Sequence, residues 1–183
     1  MNLLRPILWL LLGAVFPGLA EENRVLQLDG RGSHVELPPA AFEGLTQATV
    51  EAWVKFDAFS GNVRVFDFGA RSHEMYLGCG SDAPDLKFLI AGPDSNRHRI
   101  DVPGILLPGR WCHLAVTTGP DGVRLYYNGL LVGTNAYAGS FNTLGAQHNY
   151  IGRESFENVS RGFRGQIDEF RVWNTARSRE EIL

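Results

Sequence analysis

From Trp111 to Thr118 the side chains alternate, with Cys112, Leu114 and Val116 on one face and Trp111, His113, Ala115 and Thr117 on the other. Both faces are largely apolar, which predicts a strand covered on both sides. Gly119-Pro120-Asp121-Gly122 then reverses the chain, because proline presets a turn φ and glycine accepts a positive one. Val123 to Tyr127 returns antiparallel. Asn128-Gly129 predicts a two-residue type I′ hairpin, whose central residues both need φ > 0, and Leu130 to Thr134 is the third strand.

The same alternation predicts strands at Val25–Leu28, Ser33–Leu37, Thr49–Phe56, Val63–Phe68, Glu74–Cys79, Leu86–Ala91, His98–Val102, His148–Gly152 and Gly165–Trp173. In Thr49–Phe56, the residues Val50, Ala52, Val54 and Phe56 share a face opposite Glu51, Trp53 and Lys55. In the last strand, strict alternation groups Ile167, Glu169, Arg171 and Trp173 against Asp168, Phe170 and Val172. Helix is expected only as single turns, at Ala40–Leu45 and after the capping box Ser178-Arg179-Glu180-Glu181. That box opens a helix with room for one turn, so Ile182 and Leu183 either dock back onto the sheets or belong to a helix that continues in a longer protein; the second is the expectation.

Composition adds that 183 residues, 44% of them hydrophobic, suffice for one core, and that 21 glycines at turn spacing suit many short strands. Residues 1–20 differ in kind: Arg5 is their only charge, and the apolar run from Pro6 to Ala20 ends in Gly18-Leu19-Ala20. This reads as a secretory signal peptide cut before Glu21, too short and too broken by proline and glycine for a membrane span. Without it the chain keeps 16 basic against 20 acidic residues, net −4, which argues against nucleic acid as a partner. No second apolar run follows, so no membrane insertion of the mature chain is expected, and the location is secreted or cell-surface. In an oxidising compartment Cys79 and Cys112 are expected to close as one cross-strand disulfide; the alternative is two buried free thiols packing as small hydrophobes.

Candidate chemistry is sparse. His34, His73, His98, His113 and His148 stand singly, with no metal-binding, nucleophile-elbow or phosphate-loop motif beside them. Retaining glycosidases need two carboxyl groups about 5 Å apart, and the nearest segment, Gln166-Ile167-Asp168-Glu169-Phe170, offers adjacent acids pointing to opposite faces. An enzyme, a glycoside hydrolase or polysaccharide lyase, is therefore the disfavoured alternative. Trp53, beside Glu51, either serves a sugar platform or caps a second small core. Tyr76, Arg99, Asn149 and Arg153 either line a polar groove or are solvated strand residues. Asn158-Val159-Ser160 is an N-glycosylation sequon.

Taken in order, LQLDGRGSHVELP, TVEAWVKF, WCHLAV, DGVRLYYNGLLVG, NYIGR and GQIDEFRVWNTARSREEI resemble the laminin G-like, concanavalin A-type jelly-roll domains over roughly residues 25–182. The resemblance implies an all-β, two-sheet antiparallel jelly-roll sandwich with its first and last strands side by side. Residues 21–183 would form this domain as the N-terminal part of a longer protein. It further implies a non-catalytic module that binds a glycan or an extracellular protein, alone or as the ligand-sensing ectodomain of a membrane-anchored receptor. Some relatives hold Ca²⁺ on the rim; carried over, the positions are Asp29 and Asp168, which otherwise lock the terminal strands through backbone N–H groups.

Overall fold

The computed structural model describes residues 23–94, 96–145, 148–155 and 162–182; the signal segment, the Asn158 sequon and Leu183 lie outside them. The alternating segments become strands in two six-stranded antiparallel sheets packed face to face. The first sheet runs β1 (Leu26–Asp29), β12 (Arg164–Trp173), β3 (Ala48–Phe56), β8 (Trp111–Thr118), β9 (Val123–Tyr127) and β10 (Leu130–Asn135). The second runs β2 (Val35–Leu37), β11 (His148–Ile151), β4 (Arg64–Ala70), β5 (His73–Gly78), β6 (Leu86–Ala91) and β7 (Arg97–Val102). The terminal strands β1 and β12 pair antiparallel, Leu26 opposite Ile167. Helix is confined to 3₁₀ turns at Pro39–Phe42 and Phe141–Thr143 and to α1 (Arg179–Ile182), and no described helix is long and apolar enough to cross a membrane.

Alternation places the core where the two inner faces meet. Val50, Ala52, Val54 and Phe56 of β3 and Leu114 and Val116 of β8 lie buried in one cluster with Phe66 and Phe68 of β4 and Phe88 and Ile90 of β6. Asn128 and Gly129 both take positive φ, 48° and 72°, as the type I′ hairpin requires.

β12 departs from strict alternation. The β12–β3 register slips between Asp168 and Arg171, and Glu169 sits at φ 50°. This bulge inserts one residue and turns the chain over, so Ile167 stays in the core while Arg171 and Trp173 lie opposite Glu51 and Thr49 on the outer face. Their grouping with Ile167 is thereby overturned.

The cysteine pairing is corrected as well. Cys79 directly follows β5 of the second sheet, whereas Cys112 lies in β8 of the first, so they are not on neighbouring strands. Both are buried free thiols; the Cys112 Sγ donates to the Val54 carbonyl at 3.5 Å, and burial pushes each thiol up to about 12, which makes them poor nucleophiles. A thiol reagent under denaturing, non-reducing conditions should label two cysteines per chain; none labelled would restore the bridge.

The outer face of the first sheet is partly covered by the segment after β12. Thr49 Oγ1 donates to the Thr175 carbonyl at 2.7 Å and accepts from the Arg177 N–H at 2.9 Å. Arg179 Nε donates to the Gly129 carbonyl at 3.1 Å, and Ile182 is buried against Ala115 and Tyr126. Glu181 reaches back to the Ser178 N–H at 2.7 Å, as the capping box requires. Ile182 thus docks on the sheet, which is why β8 is apolar on both faces.

Candidate binding groove on the first sheet

Between this covering segment and the far end of β3 and β8 lies an open groove of about 680 Å³. Its floor is Glu51, in the middle of β3, with His113 of β8 diagonally beside it. Trp53 and Trp111 form one end and Trp173 one side; Asn128, Arg171 and Arg177 complete the wall. The three indoles are 44%, 39% and 38% exposed, and they are the only tryptophans among the described residues. Exposed tryptophan gathered on one face marks an interaction surface more strongly than scattered apolar residues do.

Strand geometry explains the gathering. Residues 51, 53 and 55 of β3 face outward by period 2, and the register sets Trp53 opposite His113 and Lys55 opposite Trp111. The β12 bulge then supplies Arg171 and Trp173 to the same face. Glu51 is the hub: it is 3% exposed, and its Oε1 accepts from Trp173 Nε1 at 2.7 Å and from Arg177 Nη1 at 3.0 Å. Arg177 also lies over the Trp173 ring at 4.3 Å, so indole, guanidinium and carboxylate hold one another in a fixed arrangement. His113 Nε2 is 3.8 Å from Glu51 Oε2, and its ring packs tilted on Trp53 at 5.4 Å between centroids. Burial, helped by Arg171 and Arg177 and opposed by Glu51, holds the imidazole below its ordinary value, so it is neutral at pH 7 and both donates and accepts. Arg171 pairs with Glu169. The groove thus combines aromatic faces with fixed polar groups whose charges compensate locally. Glu51 Oε1 already holds two donors, and the other carboxyl group lining the groove, that of Glu181, accepts from the Ser178 N–H.

Of the five residues singled out from sequence for binding, the structure brings Trp53 to this groove and the others to the second sheet. Tyr76 is buried beneath the Arg64 guanidinium, 3.5 Å from its ring centroid. Arg99 lies two strands away in the same row of that outer face, through Leu89. Arg153 reaches over Tyr150 at 5.0 Å. Asn149 points elsewhere and donates to the carbonyls of Pro38 and Pro39 at 2.9 and 3.1 Å, tying β11 to the 3₁₀ turn. Trp111, Trp173, Arg171 and Arg177 were not singled out as binding residues. Alternation could have found Trp111, but the other three depend on the bulge and on the path of the chain after it.

The two aspartates considered for calcium do not fit a shared ion. Asp29 lies opposite Arg164 on β12, four residues from Asp168, which is roughly 13 Å at about 3.3 Å per residue. Asp29 Oδ1 accepts from Ser33 Oγ at 2.6 Å and from the Arg31 N–H at 2.8 Å, which holds its carboxyl below the ordinary carboxylate range. Asp168 Oδ1 accepts from the Glu169 N–H at 2.8 Å and Oδ2 from Asn23 at 3.2 Å. Each aspartate locks a local turn or bulge. Among the described residues no cluster of three or more His, Cys, Asp or Glu side chains is arranged to hold a metal ion.

The sequence profile of a laminin G-like family, described as the concanavalin A-like lectin/glucanases superfamily, matches residues 29–183. Mouse Pappalysin-1 is 27% identical over an alignment of 183 residues covering 88% of this chain and 11% of that protein, so the chain spans about a tenth of that relative's length. Among solved structures, the CBM40 domain of the Ruminococcus gnavus IT-sialidase, bound to α2,3 sialyllactose, superposes with a TM-score of 0.75 at 15% identity, covering 87% of this chain and 95% of that one. Domain 4 of the extracellular arabinanase AbnA from Geobacillus stearothermophilus, in complex with arabinotriose, gives a TM-score of 0.68 at 22% identity, covering 86% and 74%. At these identities the structural likenesses establish the fold.

Proposed function

Because the chain belongs to the laminin G-like family of the concanavalin A-like lectin/glucanases superfamily, we propose that it is a secreted, non-catalytic module that binds a glycan in the groove of Trp53, Trp111 and Trp173. The observation that carries this reading is the convergence of three half-exposed indoles around a buried Glu51 whose Oε1 holds two donors. A pyranose offers an apolar C–H face that stacks on indole and hydroxyl groups that hydrogen-bond to His113, Asn128 and Arg171. Two neighbours of the same fold were solved with saccharides, sialyllactose and arabinotriose, which supports a sugar as the ligand class. The apolar run at residues 6–20 supports export, and the far greater length of Pappalysin-1 supports a place within a longer polypeptide.

The test is a glycan array followed by titration of intrinsic fluorescence, which in the exported chain comes from these three tryptophans and so reports on the groove. Binding should perturb the emission, and Trp53→Ala and Trp111→Ala should each weaken affinity about tenfold or more. Arg153→Ala, on the other sheet, should leave it unchanged. Retention of binding in both tryptophan variants would overturn the site, and release of reducing ends in a parallel hydrolysis assay would overturn the non-catalytic assignment. A second reading follows from the same groove: in a longer protein the three indoles would dock an extracellular protein or a neighbouring domain. No glycan bound, together with emission from buried indoles in the longer polypeptide, would favour it.

A further inference from the structure

On the opposite face of the sandwich, five of the six buried side-chain polar atoms that lack a hydrogen-bond partner among the described residues gather in one place: Arg64 Nε, Asp67 Oδ1, Glu74 Oε2, Arg153 Nε and Ser155 Oγ. Native interiors rarely leave such atoms unpaired, and a cluster of them calls for an explanation. Asp67 and Glu74 stand on adjacent strands, β4 and β5, one diagonal step apart, since Asp67 is opposite Tyr76 and Glu74 opposite Gly69. They are 0% and 1% exposed. What seals Asp67 is the short segment Gly152–Ser155 that leaves β11 and crosses the outer face of the second sheet. It is tied down by the Ser155 N–H donating to Asp67 Oδ2 at 3.2 Å, by Arg153 over Tyr150, and at its root by the Gly152 N–H donating to the Val65 carbonyl at 2.9 Å.

We propose that Gly152–Ser155 is a pH-sensitive strap, docked on the second sheet while the buried Asp67–Glu74 pair retains a proton and released when both carboxyls are ionised.

Among the described residues no basic group makes a close ion pair with Asp67. Arg64, on β4, approaches Asp67 Oδ2 only to 3.8 Å and spends its guanidinium on the Tyr76 ring and, through Nη1, on the Cys79 carbonyl at 3.4 Å. Arg97, from β7, meets Glu74 Oε1 at 3.4 Å but is half-exposed, and Arg71, in the β4–β5 turn, also lowers the cost of ionising Glu74. Against them, Glu154 on the strap raises the cost of ionising both Asp67 and Glu74. Tyr76 and Tyr150 wall the site with rings. Burial is the largest influence on Asp67, the Glu74 charge the next, and Arg64 offsets them only in part, so its carboxyl is pushed up to about 7. Ionisation would strengthen the bond from the Ser155 N–H, yet it would also put two or three carboxylates in one dry site. Lifting the strap returns Asp67 to water and removes Glu154.

The sign follows from linkage. The docked form binds the proton more tightly than the released form, so docking is strongest below the ordinary aspartate value of 3.8, weakens progressively up to about 7 and is constant above it. Between about pH 4 and pH 7 the docking equilibrium should fall about tenfold for each unit, roughly 1,000-fold in all, and stay level above pH 7.

Hydrogen exchange of the Ser155 amide in the whole chain, corrected for the intrinsic pH dependence of exchange, reads this directly. The expected result is protection that falls about tenfold for each unit from about pH 4 to pH 7 and is level above about pH 7.5. Asp67→Asn, which mimics the protonated acid, should hold protection high and flat. Glu74→Gln removes the like charge that raises the Asp67 carboxyl, so the fall should be smaller and end at lower pH, and it serves as the second variant if Asp67→Asn does not fold. An infrared carboxylic-acid band present at pH 6 and absent in Asp67→Asn would identify the proton's place. Protection that does not change with pH in the parent, or that falls equally in Asp67→Asn, overturns the proposal. Because the Trp groove is on the other sheet, glycan binding there can fail without affecting this outcome.

Discussion

The unfolding free energies of the parent chain and of Asp67→Asn are expected to diverge by about 4 kcal/mol between pH 4 and pH 8, with the variant gaining as pH rises. The size comes from a carboxyl whose ordinary value of 3.8 is raised to about 7, at about 1.4 kcal/mol for each unit. The folded chain therefore holds a proton that the unfolded chain releases, and stability present below pH 3.8 is lost progressively up to about pH 7. Comparison with Asp67→Asn isolates this residue from others titrating in the same window. Glu74, also raised chiefly by burial, acts in the same direction as Asp67. His113, lowered by burial, acts oppositely: its contribution is present above 6.5 and lost as pH falls through its depressed value. Release of the Gly152–Ser155 strap sets a ceiling, because the loss cannot exceed the cost of undocking that segment. Urea midpoints measured for both proteins at half-unit steps would check this, and parallel curves for the two would show that Asp67 ionises normally.

Phe68→Ala is expected to cost about 3 to 5 kcal/mol, the range for truncating a buried phenylalanine. Phe68 is fully buried in β4 and stacks on Phe66 at 4.7 Å between centroids, with Phe42 at 5.2 Å and Phe141 at 5.6 Å. Those partners come from four separate stretches of chain: β4 itself, the two 3₁₀ turns and, at 6.3 Å, Phe170 beside the β12 bulge. No one of them can move in to fill the void without leaving its own contacts, so the cavity should persist and the cost should fall at the upper end. Against a total of about 5 to 15 kcal/mol for a domain, such a loss should lower the urea midpoint sharply with an unchanged slope. A cost below about 1 kcal/mol would mean that the ring is not packed as described.

The strands were legible in the sequence because burial in a sandwich has a period of two, and each strand carries that period locally. Trp111–Thr118, Val123–Tyr127 and Leu86–Ala91 form over the residues their patterns mark, and Asn128-Gly129 turns as its backbone preference requires. The two-sheet architecture followed from the number of such segments and from the ordered motifs. What the sequence did not determine was any feature set by partners far apart in the chain. Alternation through β12 is locally unbroken, yet pairing with β3 slips at Glu169 and sends Arg171 and Trp173 to the outer face, because the register belongs to two strands at once. Alternation puts Glu51 on one face with Trp53 and Lys55, but the chain after β12 returns Arg177 and Trp173 to it across more than a hundred positions. Cys79 and Cys112, each in or beside a strand, fall in different sheets. Asp67 lies within the strand expected at Val63–Phe68, and the segment after β11 that donates to it returns from almost ninety positions away. Local patterning decides which side of a strand is apolar; the tertiary structure decides which polar groups are shut away from water together, and therefore where binding and titration occur.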